Sequence, residues 1–150
     1  MDTKKILLAE DNPNDVELTL AALADQNMAN TVTVVNDGVE TLDYLRREGK
    51  YAGRVNDDPI LILLDLKMPK MDGLQVLRVL KKDPILKSIP VVVLTSSREE
   101  TDLVESYNIG VNAYVVKPVE FEEFMEAIRC LGLFWVLTNE PPLQTSVESK

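Results

Sequence analysis

Histidine is absent from the 150 residues of this sequence, and cysteine occurs once, at Cys130. A lone cysteine cannot form an internal disulfide, and without histidine or a second thiol it is a poor zinc ligand and a poor catalytic nucleophile. Unpaired thiols are typical of a reducing compartment, so the sequence favours a cytoplasmic protein. We expect Cys130 to act as a small apolar packing residue.

Positive charge is scarce as well. The chain has 16 basic against 25 acidic side chains and a formal net charge of -9. A field of that sign repels the phosphate backbone of nucleic acids, so a nucleic-acid partner is not expected. Residues 1–5 lead directly into a short apolar strand instead of the core of a signal peptide, and no apolar run is long enough to span a bilayer. The sequence therefore predicts no membrane segment.

The glycine-rich motifs that cradle phosphates are also missing. The sequence has neither a Gly-x-Gly-x-x-Gly fingerprint nor a Gly-x-x-x-x-Gly-Lys-Ser/Thr loop. Their absence argues against the dinucleotide-binding and P-loop classes. Any chemistry of this chain must therefore come from its side chains.

The most informative stretch that is present covers residues 59–73. Five consecutive aliphatic residues, 60–64, follow Pro59 and predict a strand that is buried on both faces, as in the middle of a parallel sheet. That strand stops at Asp65. Parallel α/β sheets keep their chemistry at the carboxyl ends of the strands, so Asp65 is the first candidate for a functional residue.

Five strand patterns alternate with five helix patterns at the spacing of βα repeats, which predicts an α/β fold with a parallel sheet covered by helices on both faces. Right-handed crossovers make such a sheet doubly wound, and we expect the flavodoxin-like strand order 2-1-3-4-5. A polar stretch over residues 50–58 predicts a surface loop before the third strand. The predicted strands cover residues 4–9, 31–35, 60–64, 90–95 and 112–116.

Four of the five predicted strands end in a polar side chain, and parallel strands bring these ends to one edge of the sheet. In the predicted order the first and third strands are neighbours, about 5 Å apart, so their terminal carboxylates converge. Close carboxylates repel one another, and a set of oxygen ligands with a few waters suits Mg²⁺. The strand-end residues are Glu10 with Asp11, Asp65, Thr95 and Lys117.

These groups together fit phosphoryl transfer to a carboxylate. A metal ion would neutralise phosphoryl oxygens, Lys117 would bind another oxygen, and Thr95 offers a hydroxyl, which leaves Asp65 as the nucleophile toward phosphorus. Such transfer depends mostly on positioning and charge neutralisation. Taken singly, each residue could instead be a helix cap, a solvated acid or a surface lysine. The functional interpretation therefore depends on their occurrence together.

In this order, these residues resemble the receiver domains of two-component response regulators, and the resemblance covers residues 4–131. It implies that Asp65 accepts a phosphoryl group from a phosphohistidine of a sensor histidine kinase. It also implies that Glu10, Asp11 and Asp65 hold Mg²⁺ together with the backbone carbonyl of Lys67. The matching segments are residues 10–11, 65–73, 95–96 and 114–118.

The same resemblance implies the remaining roles. Lys117 and Thr95 would bind the phosphoryl group, and Thr95 would move toward it while Tyr114 rotates inward. These movements would change the surface formed by helix four, strand five and helix five. The peptide bond before Pro118 is expected to be cis, and cis bonds occur almost only before proline. Such a protein would catalyse only its own phosphorylation and dephosphorylation, and would not otherwise be an enzyme.

Only residues 132–150 follow the receiver domain, which we assign to residues 1–131, so we expect a stand-alone receiver without an output domain. It would act through protein contacts or a homodimer, formed by the face of helix four, strand five and helix five or by the extension. Phe134 and Trp135 of the extension could be a partner surface or simple packing of a longer fifth helix. The extension, the long loop and the opening at residues 11–15 resemble small regulators that serve phytochrome-type sensor kinases, which implies such a kinase as partner.

Three other functions compete with this interpretation. A phosphatase of the haloacid dehalogenase class also uses a strand-end aspartate with Mg²⁺, but it needs a second aspartate two residues later, where this chain has Lys67. A flavodoxin-like electron carrier needs a hydroxyl-rich phosphate loop, whereas Glu10 and Asp11 would repel a flavin phosphate. A pseudo-receiver would have the same fold without phosphorylation, and the intact acidic set argues against it.

Overall fold

The computed structural model describes residues 5–24, 32–55 and 58–133, and a five-stranded sheet forms its centre. The strand order is β2-β1-β3-β4-β5, and every neighbouring pair is parallel. The predicted flavodoxin-like topology is therefore confirmed. The strands are β1 (Ile6–Ala9), β2 (Val32–Val35), β3 (Leu61–Asp65), β4 (Val91–Thr95) and β5 (Ala113–Val116).

Within the described ranges, five α-helices connect or follow these strands, as the periodicity predicts. Four of them begin with a side chain that accepts a backbone N–H of the first turn, namely Asn12, Asp37, Asp72 and Ser97. Such caps satisfy donors that the first turn of a helix leaves without intrahelical partners. The helices are α1 (Pro13–Ala24), α2 (Gly38–Arg46), α3 (Gly73–Lys82), α4 (Arg98–Ser106) and α5 (Phe121–Cys130).

Helices cover both faces of the sheet, because successive side chains of a strand point to opposite sides. Leu8 packs on one face with Leu23 of α1 and Phe124 of α5. Leu7 packs on the other face with α2 and α3, for example with Leu77. β1, β3 and β4 are buried along their whole length. The polar ends of these strands are therefore held by rigid elements.

The described part of the polar stretch before β3, residues 50–55 and 58, is largely exposed, as expected for a surface loop. It starts with a 3₁₀ turn over Gly49–Tyr51. The guanidinium of Arg54 lies 4.2 Å from the centre of the Tyr44 ring, and its Nε donates to the Tyr44 carbonyl at 2.9 Å. Cation–π and hydrogen-bond contacts thus attach this segment to α2.

One interpretation of the sequence is wrong. Cys130, the last residue of α5, is exposed and not a core packing residue. α5 buries Phe124 and Ile128, and a residue two positions after Ile128 points away from that face because the helix has 3.6 residues per turn. Phe134 and Trp135 lie outside the described residues. Within the described residues, no helix is long and apolar enough to cross a membrane.

Candidate functional site

The sheet register brings the acidic strand ends together. Ala9 of β1 pairs with Leu64 of β3, so the next residues, Glu10 and Asp65, lie side by side at the carboxyl edge. The backbone N–H of Glu10 donates to the carbonyl of Val35 at 2.9 Å, which extends the ladder between β1 and β2 by one residue. The main chain therefore fixes the position of the Glu10 carboxylate before any side-chain contact forms.

Glu10, Asp11 and Asp65 each contribute a carboxylate oxygen to a cluster in which these atoms all lie within 4.8 Å of one another. Glu10 and Asp65 are buried, with 0% and 3% exposure, whereas Asp11 is exposed and leaves the cluster open on one side. Hard oxygen ligands with access to solvent fit a divalent cation of the Mg²⁺ type. The donor set of this chain is therefore suited to the metal that the sequence predicts.

The electrostatics of Glu10 support the same conclusion. Burial, followed by the charge of Asp65 and a hydrogen bond with it, raises the pKa of Glu10 to about 7, although Lys117 and the backbone N–H of Asn12 act in the opposite direction. Two carboxylates at this distance cannot both ionise without cost. A bound divalent cation would remove that cost and displace the proton.

Lys117 provides positive charge at the same edge. Its Nζ lies 2.9 Å from Asp15 Oδ2, 3.1 Å from Asp65 Oδ1 and 3.4 Å from Glu10 Oε1. Burial alone would lower the pKa of Lys117, but the hydrogen bond to Asp15 and the charges of Asp65 and Glu10 raise it above its usual range. The backbone N–H of Lys117 donates to the carbonyl of Thr95 at 2.7 Å. Lys117 is thus a fixed ammonium group next to the Asp65 carboxylate.

The remaining predicted residues lie around this centre. Thr95 is buried at the end of β4, and its Oγ1 lies 3.2 Å from Oγ1 of Thr101 in α4. The half-buried Tyr114 of β5 lines a groove of about 480 Å³ that α4, β5 and α5 enclose. The peptide bond between Lys117 and Pro118 is cis. The structure therefore brings Thr95 close to the site and places Tyr114 on the neighbouring surface.

The turn after β3 closes over Asp65. The backbone N–H of Gly73 donates to the carbonyl of Leu66 at 2.8 Å. A Cβ atom at Gly73 would overlap the backbone carbonyl oxygen of Asp65, so only glycine allows this approach. The following helix begins with a capping box between Asp72 and Gln75. This turn also holds Lys67, whose carbonyl the sequence assigns to the metal.

Two residues of the site were missed in the sequence. Asp15 contacts Lys117, and Glu100 of α4 accepts both Lys67 Nζ at 3.2 Å and the backbone N–H of Ser96 at 2.8 Å. The position of Asp15 in the first turn of a helix that follows an acidic strand end indicates a carboxylate near the site, but not its contact with Lys117. Glu100 gave no such signal, since an acid in the first turn of a helix is expected for its dipole alone.

Comparison with known proteins identifies the family. The family described as response regulator receiver domain matches residues 6–129. The chain belongs to this family. Receivers of two-component systems are phosphorylated on an aspartate and work with sensor histidine kinases. The predicted family and the predicted fold are both confirmed.

Several receivers are similar over nearly their whole length. Response regulator Rcp1 from Synechocystis sp. is 37% identical over 139 residues, which is 93% of each chain. The structure of its Mn²⁺-bound form has a TM-score of 0.70 and 34% identity over 95% of this chain and 99% of that chain. The bacteriophytochrome response regulator AtBRR is 58% identical, with a TM-score of 0.86 over 93% of this chain and 100% of that chain. The phosphorylated cyanobacterial phytochrome response regulator RcpA is 44% identical, with a TM-score of 0.71 over 89% of this chain and 94% of that chain.

Proposed function

We propose that this receiver accepts a phosphoryl group on Asp65 from a sensor histidine kinase and signals through a changed protein surface. The observation that carries the proposal is the position of the Asp65 carboxylate. It is buried, one of its oxygens lies within 4.8 Å of carboxylate oxygens of Glu10 and Asp11, and its Oδ1 is 3.1 Å from Lys117 Nζ. A carboxylate next to a fixed cation and a metal-type oxygen cluster is suited to attack phosphorus.

The transfer step exchanges one bond to phosphorus for another. A carboxylate oxygen of Asp65 forms a bond to phosphorus while the bond between phosphorus and the imidazole nitrogen of the kinase breaks, and the leaving imidazole takes a proton. Lys117 donates a hydrogen bond to a phosphoryl oxygen. The burial of Asp65 limits the contact of its carboxylate with water.

Glu10, Asp11 and Asp65 hold Mg²⁺ in this proposal, with the backbone carbonyl of Lys67 as a further ligand. When bound, Mg²⁺ supplies charge neutralisation for the phosphoryl oxygens. The raised pKa of Glu10 supports this assignment, because burial next to Asp65 leaves the cluster in need of positive charge. The similarity to Rcp1, whose structure is of an Mn²⁺-bound form, agrees with it.

Thr95 and Tyr114 are the switch residues in this proposal. Thr95 moves from its contact with Thr101 toward the phosphoryl group, and Tyr114 rotates toward the space that Thr95 leaves. Because Tyr114 lines the groove between α4, β5 and α5, its rotation changes that surface. A downstream protein or a second copy of the chain then binds there or at the extension.

The relatives point to the kind of kinase. AtBRR is described as a bacteriophytochrome response regulator and RcpA as a phytochrome response regulator, so we assign a phytochrome-type histidine kinase as the partner. Residues 1–131 form the receiver and residues 132–150 an extension with Phe134 and Trp135 as a contact surface. The protein works in the cytoplasm, and its net charge of -9 argues against nucleic acid as a partner.

Intact-mass spectrometry after incubation with Mg²⁺ and acetyl phosphate tests this proposal. The wild type should gain the mass of one phosphoryl group, and chelation of Mg²⁺ should abolish the gain. Asp65→Asn should gain nothing, because an amide is a poor nucleophile toward phosphorus. Asp72→Asn is a matched control: it removes the same charge from the same turn but keeps a side chain that can cap α3, and it should behave like the wild type.

Two results would contradict the proposal. A wild type that takes up no phosphoryl group from either acetyl phosphate or a phosphorylated kinase would favour the pseudo-receiver. Multiple turnover of phosphomonoesters that depends on Asp65 would favour the phosphatase instead.

A further inference from the structure

Asp15 lies in the first turn of α1, and its carboxylate reaches the end of β5. The Oδ2 atom of Asp15 is 2.9 Å from Lys117 Nζ, a shorter distance than those to Asp65 and Glu10. The backbone N–H of Asp15 donates to Oδ1 of Asn12 at 3.2 Å, which fixes the first turn of the helix. Asp15 therefore holds Lys117 from a rigid element.

The position of Asp15 differs from that of the cluster acids. Its side chain is 27% exposed, whereas those of Asp65 and Glu10 are 5% and 0% exposed. Asp15 is thus at the rim of the site, on the solvent side of Lys117. From there its carboxylate contacts the lysine and is not a member of the metal-type cluster of Glu10, Asp11 and Asp65.

Lys117 Nζ donates hydrogen bonds to Glu10 and Asp15 and forms an ion pair with Asp65. An ammonium group has three N–H donors, and in the described residues three carboxylates lie within ion-pair distance of Nζ. A phosphoryl group on Asp65 needs at least one of these donors. The ion pair with Asp15 competes for them, and it also keeps the ammonium group close to the reacting carboxylate.

We propose that Asp15 is a positioning residue that anchors the ammonium group of Lys117 at the rim of the site. By pairing with this group, Asp15 weakens the interaction that Lys117 can make with the phosphoryl group. This inference rests on the proposed function, because it assigns the same lysine to the phosphoryl group. It goes further in that it adds a residue that sets the balance between Mg²⁺ binding and phosphorylation.

Removal of the Asp15 carboxylate should have two effects of opposite sign. Mg²⁺ should bind more weakly, because the site loses one negative charge. Phosphorylation at saturating Mg²⁺ should become faster, because the anionic phosphodonor meets less negative charge and Lys117 has a donor to spare. A residue with only a structural role would weaken both properties when replaced.

The test compares Asp15→Asn with Asp15→Glu and with Glu17→Gln. Glu17 is exposed on the same helix, so its replacement removes the same net charge away from Lys117. For Asp15→Asn, calorimetry should show Mg²⁺ binding about threefold to tenfold weaker, and the rate with acetyl phosphate at saturating Mg²⁺ should rise about threefold. Asp15→Glu should restore both values toward the wild type, and Glu17→Gln should change neither by more than about 1.5-fold.

A metal-free measurement gives an independent readout. In nuclear magnetic resonance spectra, the ammonium signal that disappears in Lys117→Arg belongs to Lys117. Its hydrogens should exchange with water severalfold faster in Asp15→Asn than in the wild type or in Glu17→Gln.

The inference is overturned if Asp15→Asn matches Glu17→Gln in all three measurements, or if Mg²⁺ affinity and the phosphorylation rate fall together. A wild type that takes up no phosphoryl group would contradict the proposed function. In that case the ammonium signal and the Mg²⁺ affinity still decide whether Asp15 anchors Lys117.

Discussion

Glu10 combines full burial with an acidic neighbour, and this combination gives the protein a characteristic pH dependence. Its pKa is about 7 in the folded state, against an ordinary value of 4.5. Between these two values the folded state binds more protons than the unfolded chain, so stability must fall as the pH rises. The metal-free protein should therefore lose on the order of 2–3 kcal/mol of unfolding free energy between about pH 5 and pH 7.

Chemical denaturation in a chelating buffer across this pH range measures the effect. Glu10→Gln should remove most of the slope, because an amide does not titrate. Added Mg²⁺ should recover stability most strongly at the upper end of the range, since metal binding requires the deprotonated carboxylate. A slope of the opposite sign in the metal-free wild type would show that Glu10 ionises easily and that burial next to Asp65 does not raise its pKa.

At the scale of elements, α4 differs from the other helices in how it is held. Val104 is the buried apolar residue of this helix. Some other contacts between the helix and its surroundings are polar. Thr101 contacts the Thr95 hydroxyl, and Glu100 binds Lys67 across the site. A helix held largely by such contacts can shift at moderate cost. In the proposed switch, this contact between Thr101 and Thr95 must break.

Thr101→Val should therefore favour the phosphorylated state. The substitution keeps the shape of the side chain but removes the hydroxyl that holds Thr95. A hydrogen bond of about 1 kcal/mol corresponds to about a fivefold change in the equilibrium between the two positions of Thr95. At a subsaturating concentration of acetyl phosphate, the ratio of phosphorylated to unphosphorylated protein, read by intact mass, should rise by up to this factor.

Thr101→Ser is the matched control, because serine keeps a hydroxyl and should behave like the wild type. In a Thr95→Val background, Thr101→Val should have no further effect. An equal increase in Thr101→Ser, or a decrease in Thr101→Val, would show that the hydroxyl pair does not restrain Thr95.

The strands and helices also show which structural features can be predicted from a short stretch of sequence. The end of each strand could be predicted, because a change from apolar to polar residues, such as that from Leu64 to Asp65, marks the carboxyl edge of the parallel sheet. The convergence of Glu10 and Asp65 followed from strand order alone. The contact between Asp15 and Lys117 could not be predicted, because it depends on how α1 is rotated about its axis against β5, 102 residues away.

The error about Cys130 has the same physical origin. Cys130 is predicted to be a packing residue, but the sequence does not say which face the last turn of a helix presents. The loop predicted before β3 is confirmed in its described part, although its sequence does not report that Arg54 stacks on Tyr44. Patterns give the period of an element, and its rotation depends on packing.

At the scale of the whole molecule, the net charge of -9 is partly concentrated at the functional edge of the sheet. Four acidic side chains, those of Glu10, Asp11, Asp15 and Asp65, lie there around Lys117. An excess of negative charge attracts a divalent cation and repels anionic phosphodonors. Under the proposed function, a divalent cation must therefore bind before a phosphoryl group can approach Asp65.

Transfer of a phosphoryl group from a kinase to Asp65 is the central claim, and one experiment tests it most directly. A phytochrome-type histidine kinase is labelled on its histidine with radioactive phosphate and mixed with this protein and Mg²⁺, and the product is trapped by borohydride reduction, which converts an aspartyl phosphate to homoserine. We predict that the label moves to this chain before reduction and that, after reduction has released the phosphate, peptide mapping finds homoserine at position 65. Homoserine at another position, or label that stays on the kinase while the protein is folded and binds Mg²⁺, would contradict the account.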